Sequence, residues 1–191
     1  DLSIDKIAIN NLNVGDIKLK ADKNGDLVKA VLTLMGDNNN VNVNGDYQIS
    51  NGNIDAVANI NNIDLAPFEI FVKSLAENIT GNINGRISVK GTTDAPRVNG
   101  VIEMKKVSAK IVDLGTQYTI QYGALQISET SISPAIMLVD SAKNQATLTG
   151  DIEHHLFQDF KFDLDLKAEN FTFLNSVKNP KALFYGKLIA N

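Results

Sequence analysis

The chain has no cysteine and no tryptophan. Without thiols there is no disulfide framework, no zinc–thiolate site and no sulfur nucleophile. None of its 191 residues belong to an apolar run of 18 or more, so no segment is long enough to span a bilayer as a helix. Charge of one sign does not dominate: 18 basic and 22 acidic residues are interspersed and leave a net charge of −4. That balance argues against a nucleic-acid footprint. Histidine is confined to His154 and His155. Adjacent strand residues point to opposite faces, so the two cannot comfortably share one metal. Glu153 and His155 can share a face, but the sequence offers no third ligand. There is no G-x-S-x-G, phosphate loop or dinucleotide fingerprint. The carboxylates Asp163 and Asp165 alternate with apolar residues and read as solubilising charges rather than an acid–base pair. No enzyme, metal or cofactor is expected.

What is present is a β pattern. Ile, Val, Leu and Phe are plentiful, so the composition is not that of a disordered chain. Asparagine occurs 23 times and Lys outnumbers Arg 16 to 2, a bias that an AT-rich genome accounts for. Apolar and polar residues alternate over Tyr118-Thr119-Ile120-Gln121-Tyr122 and over Phe160 to Ala168, the period of half-buried strands. Similar rows occur at Ile17/Leu19/Ala21, Ala30/Leu32/Leu34, Leu125/Ile127, Ile136/Leu138 and Ala146/Leu148. Asn24-Gly25, Asn44-Gly45, Asn51-Gly52, Asn84-Gly85 and Thr92-Thr93-Asp94-Ala95-Pro96 read as turns. One face of the resulting sheet should meet water.

A single stretch departs from period two. Over Ala66 to Glu77 the residues Phe68, Phe71, Val72 and Leu75 share one helical face. Pro67 suits a first turn, and Asp64 or a neighbour can cap it. The expectation is a short amphipathic helix closing an open end of the core. Asp22 to Asp26 misses the calcium-loop spacing and reads as a hairpin turn. The sequons at Asn78 and Asn170 carry little weight.

An apolar-x-Gly-x-apolar pattern recurs around Gly45, Gly85, Gly100, Gly150 and Gly186. By strand parity each glycine shares a face with its apolar neighbours. Glycine inside a strand marks a bend or a close approach, so the sheet is expected to curve around its apolar face. For Gly45 and Gly85, each preceded by Asn, a turn is the competing reading.

From about Ile63 the chain resembles the TamB family, within the AsmA-like group of envelope proteins. The stretch Ile79-Thr80-Gly81-Asn82-Ile83-Asn84-Gly85-Arg86-Ile87, continuing to Gly91-Thr92-Thr93-Asp94-Ala95-Pro96-Arg97-Val98-Asn99-Gly100, is similar to that family's helix, glycine-flanked strand and G-T-x-x-x-P segment. Ala146 to His154, Phe160 to Leu166, Asn170 to Asn175 and Phe184-Tyr185-Gly186 are similar to its later strands. Residues 1–62 fit in style, as further Asn-rich strands. The resemblance implies one elongated unit over 1–191, with a sub-boundary near 62–66. Its fold would be a mostly β, antiparallel or mixed sheet curved into an open trough, a β-taco, with one short helix. It also implies a periplasmic segment of an inner-membrane-anchored protein of a Gram-negative bacterium. The chain starts without Met and ends after Leu188-Ile189-Ala190, and so reads as an interior piece lacking the anchor. The implied partners are phospholipid and an outer-membrane barrel protein.

On that basis the apolar face is expected to line a groove for acyl chains. The lining rows would be Tyr118/Ile120/Tyr122, Leu125/Ile127, Leu148/Ile152 and Phe160/Phe162/Leu164/Leu166. About twelve strands at ~4.8 Å spacing would make the trough near 60 Å long. The alternative is a scaffold or chaperone for outer-membrane protein assembly, binding a partner by strand addition at a sheet edge. A surface glycan binder is a more distant rival, disfavoured by the lack of Trp and the few aromatics.

Overall fold

A computed structural model of the chain describes residues 1–175 and 183–190. The strands are β1 (Leu2–Ile9), β2 (Leu12–Asn24), β3 (Leu27–Met35), β4 (Asn40–Gln48), β5 (Asn53–Asp64) and β6 (Ala76–Thr92). They continue with β7 (Pro96–Ile111), β8 (Thr116–Ile127), β9 (Ser131–Val139), β10 (Gln145–His155), β11 (Gln158–Asn175) and β12 (Leu183–Ala190). All lie in one sheet whose spatial order is their chain order. Every neighbouring pair is antiparallel, so the sheet is an open meander with no mixed pairing. At ~4.8 Å per step it runs about 53 Å from first strand to last.

Two apolar rows cross it. Ile17, Leu34, Val41, Ile60, Gly85, Ile102, Leu125 and Pro134 stand opposite one another from β2 to β9. Leu19, Leu32, Val43, Ala58, Ile87, Gly100, Ile127, Ile132, Ile152 and Phe162 do the same from β2 to β11. Alternation alone creates this continuity, because each hairpin keeps its apolar set on one side.

The longest strands change phase partway along. In β7 the apolar residues are Val98, Ile102 and Met104, then Val107, Ala109 and Ile111. The slip falls at Lys106, which adopts φ 52°. Equivalent slips occur at Asn61-Asn62 in β5, at Gln121 in β8 and at Asn170 (φ 53°) in β11. A bulge adds one residue to one strand and bends it. The slips of β7 and β8 face each other, at Lys106 and Gln121, and form a crease there. The extra residue restores the apolar set to the inner face beyond the bend.

The wall is not sealed by a second layer. The accessible surface of the chain is 11951 Å², against about 8,900 Å² for a compact monomer of this mass. Among the described residues the buried apolar side chains include Val14, Val139, Ala146, Ala168 and Phe171. Three of these form a small cluster at one end of β10 and β11, with Tyr118, Leu138, Leu166 and Phe173 packed on it. Elsewhere the apolar rows are mostly half-buried.

Three sequence expectations need correction. The segment after Asp64 is a 3-10 helix of six residues, Ala66–Phe71, not a longer amphipathic α-helix. Asp64 does accept a bond from the Ala66 N–H, at 3.1 Å. Of the expected buried stripe, however, Phe71 is 72% exposed and Leu75 64%, because the helix ends at Phe71 and the chain re-enters a strand at Ala76. Asn44-Gly45 and Asn84-Gly85 lie inside β4 and β6 rather than in turns. Asn24-Gly25 and Asn51-Gly52 do fall at hairpins, with φ +60° at Gly25 and +68° at Gly52. Among the described residues no helix is long and apolar enough to cross a membrane.

Candidate functional site

The candidate site is the apolar face itself. Glycines on it let neighbouring backbones approach closely. A Cβ built at Gly100 would sit 2.2 Å from the Arg86 carbonyl oxygen, and one at Gly85 would sit 2.2 Å from that of Val101. At Gly150, with φ +115°, it would meet the Asp163 oxygen at 2.2 Å. No side chain fits such gaps, so β6, β7, β10 and β11 close up where those glycines stand. Gly45 differs, since its nearest neighbour would be the Ala56 Cβ at 3.1 Å.

Most of the residues expected to line the wall do share this face. Leu125, Ile127, Leu148, Ile152, Phe162 and Leu166 stand in cross-strand register with one another or with the rows above, and Leu164 stands opposite Gly150. Phe160 has their parity at the free end of β11, where it is exposed beside His154. Phe162 is 68% exposed, so the wall is most open along β11. Ile120 pairs with Leu138 and Val107 beyond the crease.

Two tyrosines behave differently. Tyr122 stands opposite Lys105 and Met137, on the polar side, because the bulge at Gln121 reverses parity between Ile120 and Tyr122. Strict alternation had placed it beside Ile120. Tyr118 keeps the inner face but seals it. Its ring stacks on Phe171 at 5.3 Å with a 4° interplanar angle. Its hydroxyl donates to the carbonyls of Thr172 and Phe173, each at 3.0 Å. This clamp ties β8 to β11 across β9 and β10. Burial above all, together with the nearby Asp140 carboxylate, pushes the Tyr118 pKa up, so the hydroxyl remains a donor.

The clamp has a polar buttress. Asp140 is buried after β9 and accepts bonds from the Thr172 N–H at 2.9 Å and the Asn144 N–H at 2.8 Å. Burial opposes its charge, but these bonds and one from the Asn144 amide outweigh it, so its pKa lies below the usual carboxylate value. At the other end of the sheet, buried Asn39 joins β2 to β5. Its amide donates to Val14 O at 3.0 Å and its oxygen accepts from Asp64 N at 2.9 Å. Sequence reading missed both buttresses, because each pairs residues far apart in the chain.

His154 is buried at the end of β10 and stacks on Phe157 at 4.4 Å. Among the described residues no three candidate ligands gather into a metal cluster. Among the described residues the arrangement offers an extended, mostly apolar surface.

A family model described as TamB, N-terminal domain, matches residues 4–104, just over half of the chain. That span takes in residues 4–62, which the motifs joined only in style. Beyond Met104 the likeness rests on the motifs alone. No curated protein and no solved structure matches the chain.

Proposed function

The chain belongs to the TamB family, and from that membership we propose that its apolar wall carries phospholipid acyl chains between the inner and outer membranes. The family is one of Gram-negative envelope proteins that transport lipid or protein without enzymatic chemistry. The observation that carries the finer reading is the half-exposed wall, with two unbroken apolar rows and no covering layer. Burying one CH₂ is worth about 0.8 kcal/mol, so a sixteen-carbon chain faces a barrier on the order of 10 kcal/mol to leave for water. Movement from one row position to the next exchanges Ile, Leu or Val for a near equivalent, so sliding costs little while escape costs much. Headgroups stay in solvent at the trough's mouth. Lys161, Asp163 and Lys167 keep the opposite face wet in the periplasm.

The test is photocrosslinking in cells, with the reactive group at Leu125 or Phe162 on the wall and at Gln126 or Lys161 on the polar face. Phospholipid adducts at the first pair alone support carriage. Equal labelling of both faces overturns it.

A further inference from the structure

We infer that the polar face carries a binding site for a carboxylated glycan chain, built around Tyr122, Asn84, Arg86 and Lys105. It lies on the opposite side of the sheet from the apolar wall and does not depend on acyl-chain carriage.

Three adjoining hollows on this face share Asn84 in their lining. One has Gly123, Ala124 and Ala135 in its lining. Their short side chains leave room between larger neighbours. The second is lined by Asn61, Arg86 and Glu103 among others. The third contains Asn82, Lys105 and Lys106. Together they run from β5 to β9, about 19 Å at the usual strand spacing.

The lining chemistry selects the ligand. A pyranose ring has an apolar C–H face, a rim of hydroxyls that both donate and accept and, in acidic sugars, a carboxylate. Tyr122 is 67% exposed. The crease has turned it outward, away from any packing partner on the wall, and it offers a flat ring with a polar tip. The Asn84 amide donates to Glu103 Oε2 at 2.8 Å, which fixes its plane and leaves its own oxygen free to accept. Glu103 retains a second oxygen as an acceptor. Arg86, Lys105 and Lys106 form no ion pair among the described residues, so three cations surround a single carboxylate there. In a chain of net charge −4 that local excess suits an anionic ligand, and an Arg fork suits a carboxylate. Nucleic acid is a poorer fit, because the acidic residues spread over the rest of the chain oppose a polyanion of high charge density. Lack of tryptophan does not count against a glycan here, because one exposed ring supplies the platform.

The test is calorimetric titration of the full chain with a tetrasaccharide of alternating N-acetylglucosamine and N-acetylmuramic acid. The comparison ligand is chitotetraose, which has the same ring number and no carboxylate. The expected result is saturable binding of the acidic glycan and about tenfold weaker binding of chitotetraose, the factor one charge-assisted contact supplies. Tyr122→Ala and Lys105→Gln should each weaken the acidic glycan by about tenfold, while Tyr122→Phe retains it. Both positions are exposed, and an unchanged melting curve verifies folding. The inference is overturned by absence of saturable binding, by equal affinity for the two ligands, or by full affinity in Tyr122→Ala.

Discussion

Replacing Gly100 with alanine tests whether close backbone approach shapes the wall. Gly100 lies on the apolar face of β7, opposite Ile87 of β6 and Ile127 of β8. The new methyl would stand 2.2 Å from the Arg86 carbonyl oxygen and 2.8 Å from both the Cα and Cδ1 of Ile87. The Ile87 side chain can rotate away, but the Arg86 carbonyl belongs to the β6 ladder and cannot yield without parting the two strands. Overpacking of this kind costs about 1–3 kcal/mol. Gly45→Ala is the matched control. Its methyl meets only the Ala56 Cβ at 3.1 Å, with the next atom at 3.7 Å. Relief of unfolded-chain entropy contributes about 0.4–1 kcal/mol in its favour. Urea and thermal unfolding, followed by far-ultraviolet circular dichroism, should place Gly45→Ala within about 1 kcal/mol of the parent. Gly100→Ala should melt lower, at about 2–4 °C per kcal/mol for a chain of this length. Equal stability of the two variants would refute the idea that glycine-permitted backbone contact sets the curvature.

Asp140→Ala removes the acceptor for Thr172 N–H and Asn144 N–H and should cost about 1.5–3 kcal/mol at pH 7. Because the folded pKa is lowered, the Asp140 contribution is present above the unfolded value of about 3.9 and is lost as pH falls through the folded value. Urea midpoints at pH 7 and below pH 4 should therefore converge for parent and Asp140→Asn as the solution is acidified. A gap that is constant with pH would contradict this. Tyr118→Phe keeps the stack on Phe171 but deletes the bonds to Thr172 and Phe173, so its unfolding free energy should fall by about 0.5–1.5 kcal/mol. A loss of several kcal/mol would mean that the phenyl ring no longer stacks.

Much of the sheet was legible because alternation is a local signal. Phe160 to Ala168 keeps strict parity, and the structure pairs Lys161 to Ala168 with Glu153 to Ala146 in register. The reading went wrong where parity slips. Tyr122 is apolar enough to extend the row of Tyr118 and Ile120, so nothing in its own composition reveals the bulge before it. Asn-Gly pairs were ambiguous for a related reason. At Asn24-Gly25 and Asn51-Gly52 the apolar residues change from odd to even across the pair, as a real turn requires. Through Gly45 and Gly85 they stay odd, with Val43 and Tyr47 or Ile83 and Ile87 on either side. The helical reading of Phe68, Phe71, Val72 and Leu75 failed because spacing does not register that the strand beginning at Ala76 claims the following residues. The polar hollows, the Asp140 buttress and the Asn39 bridge are properties of pairings between distant segments, and no short window of sequence contains them.

Since spatial order equals chain order, no strand needs a distant segment to hold its place in the ladder. One more hairpin spliced in at a turn outside the β2–β5 bridge and the β8–β11 clamp would add two rungs, about 10 Å, while earlier and later pairings stay as they were. An excised hairpin would shorten the span by the same amount. Reach is thus adjustable by duplication or deletion of units of two strands, much as in repeat proteins whose modules touch only their neighbours. A lineage facing a wider gap between two surfaces could meet it by copying a hairpin, without redesigning an interior.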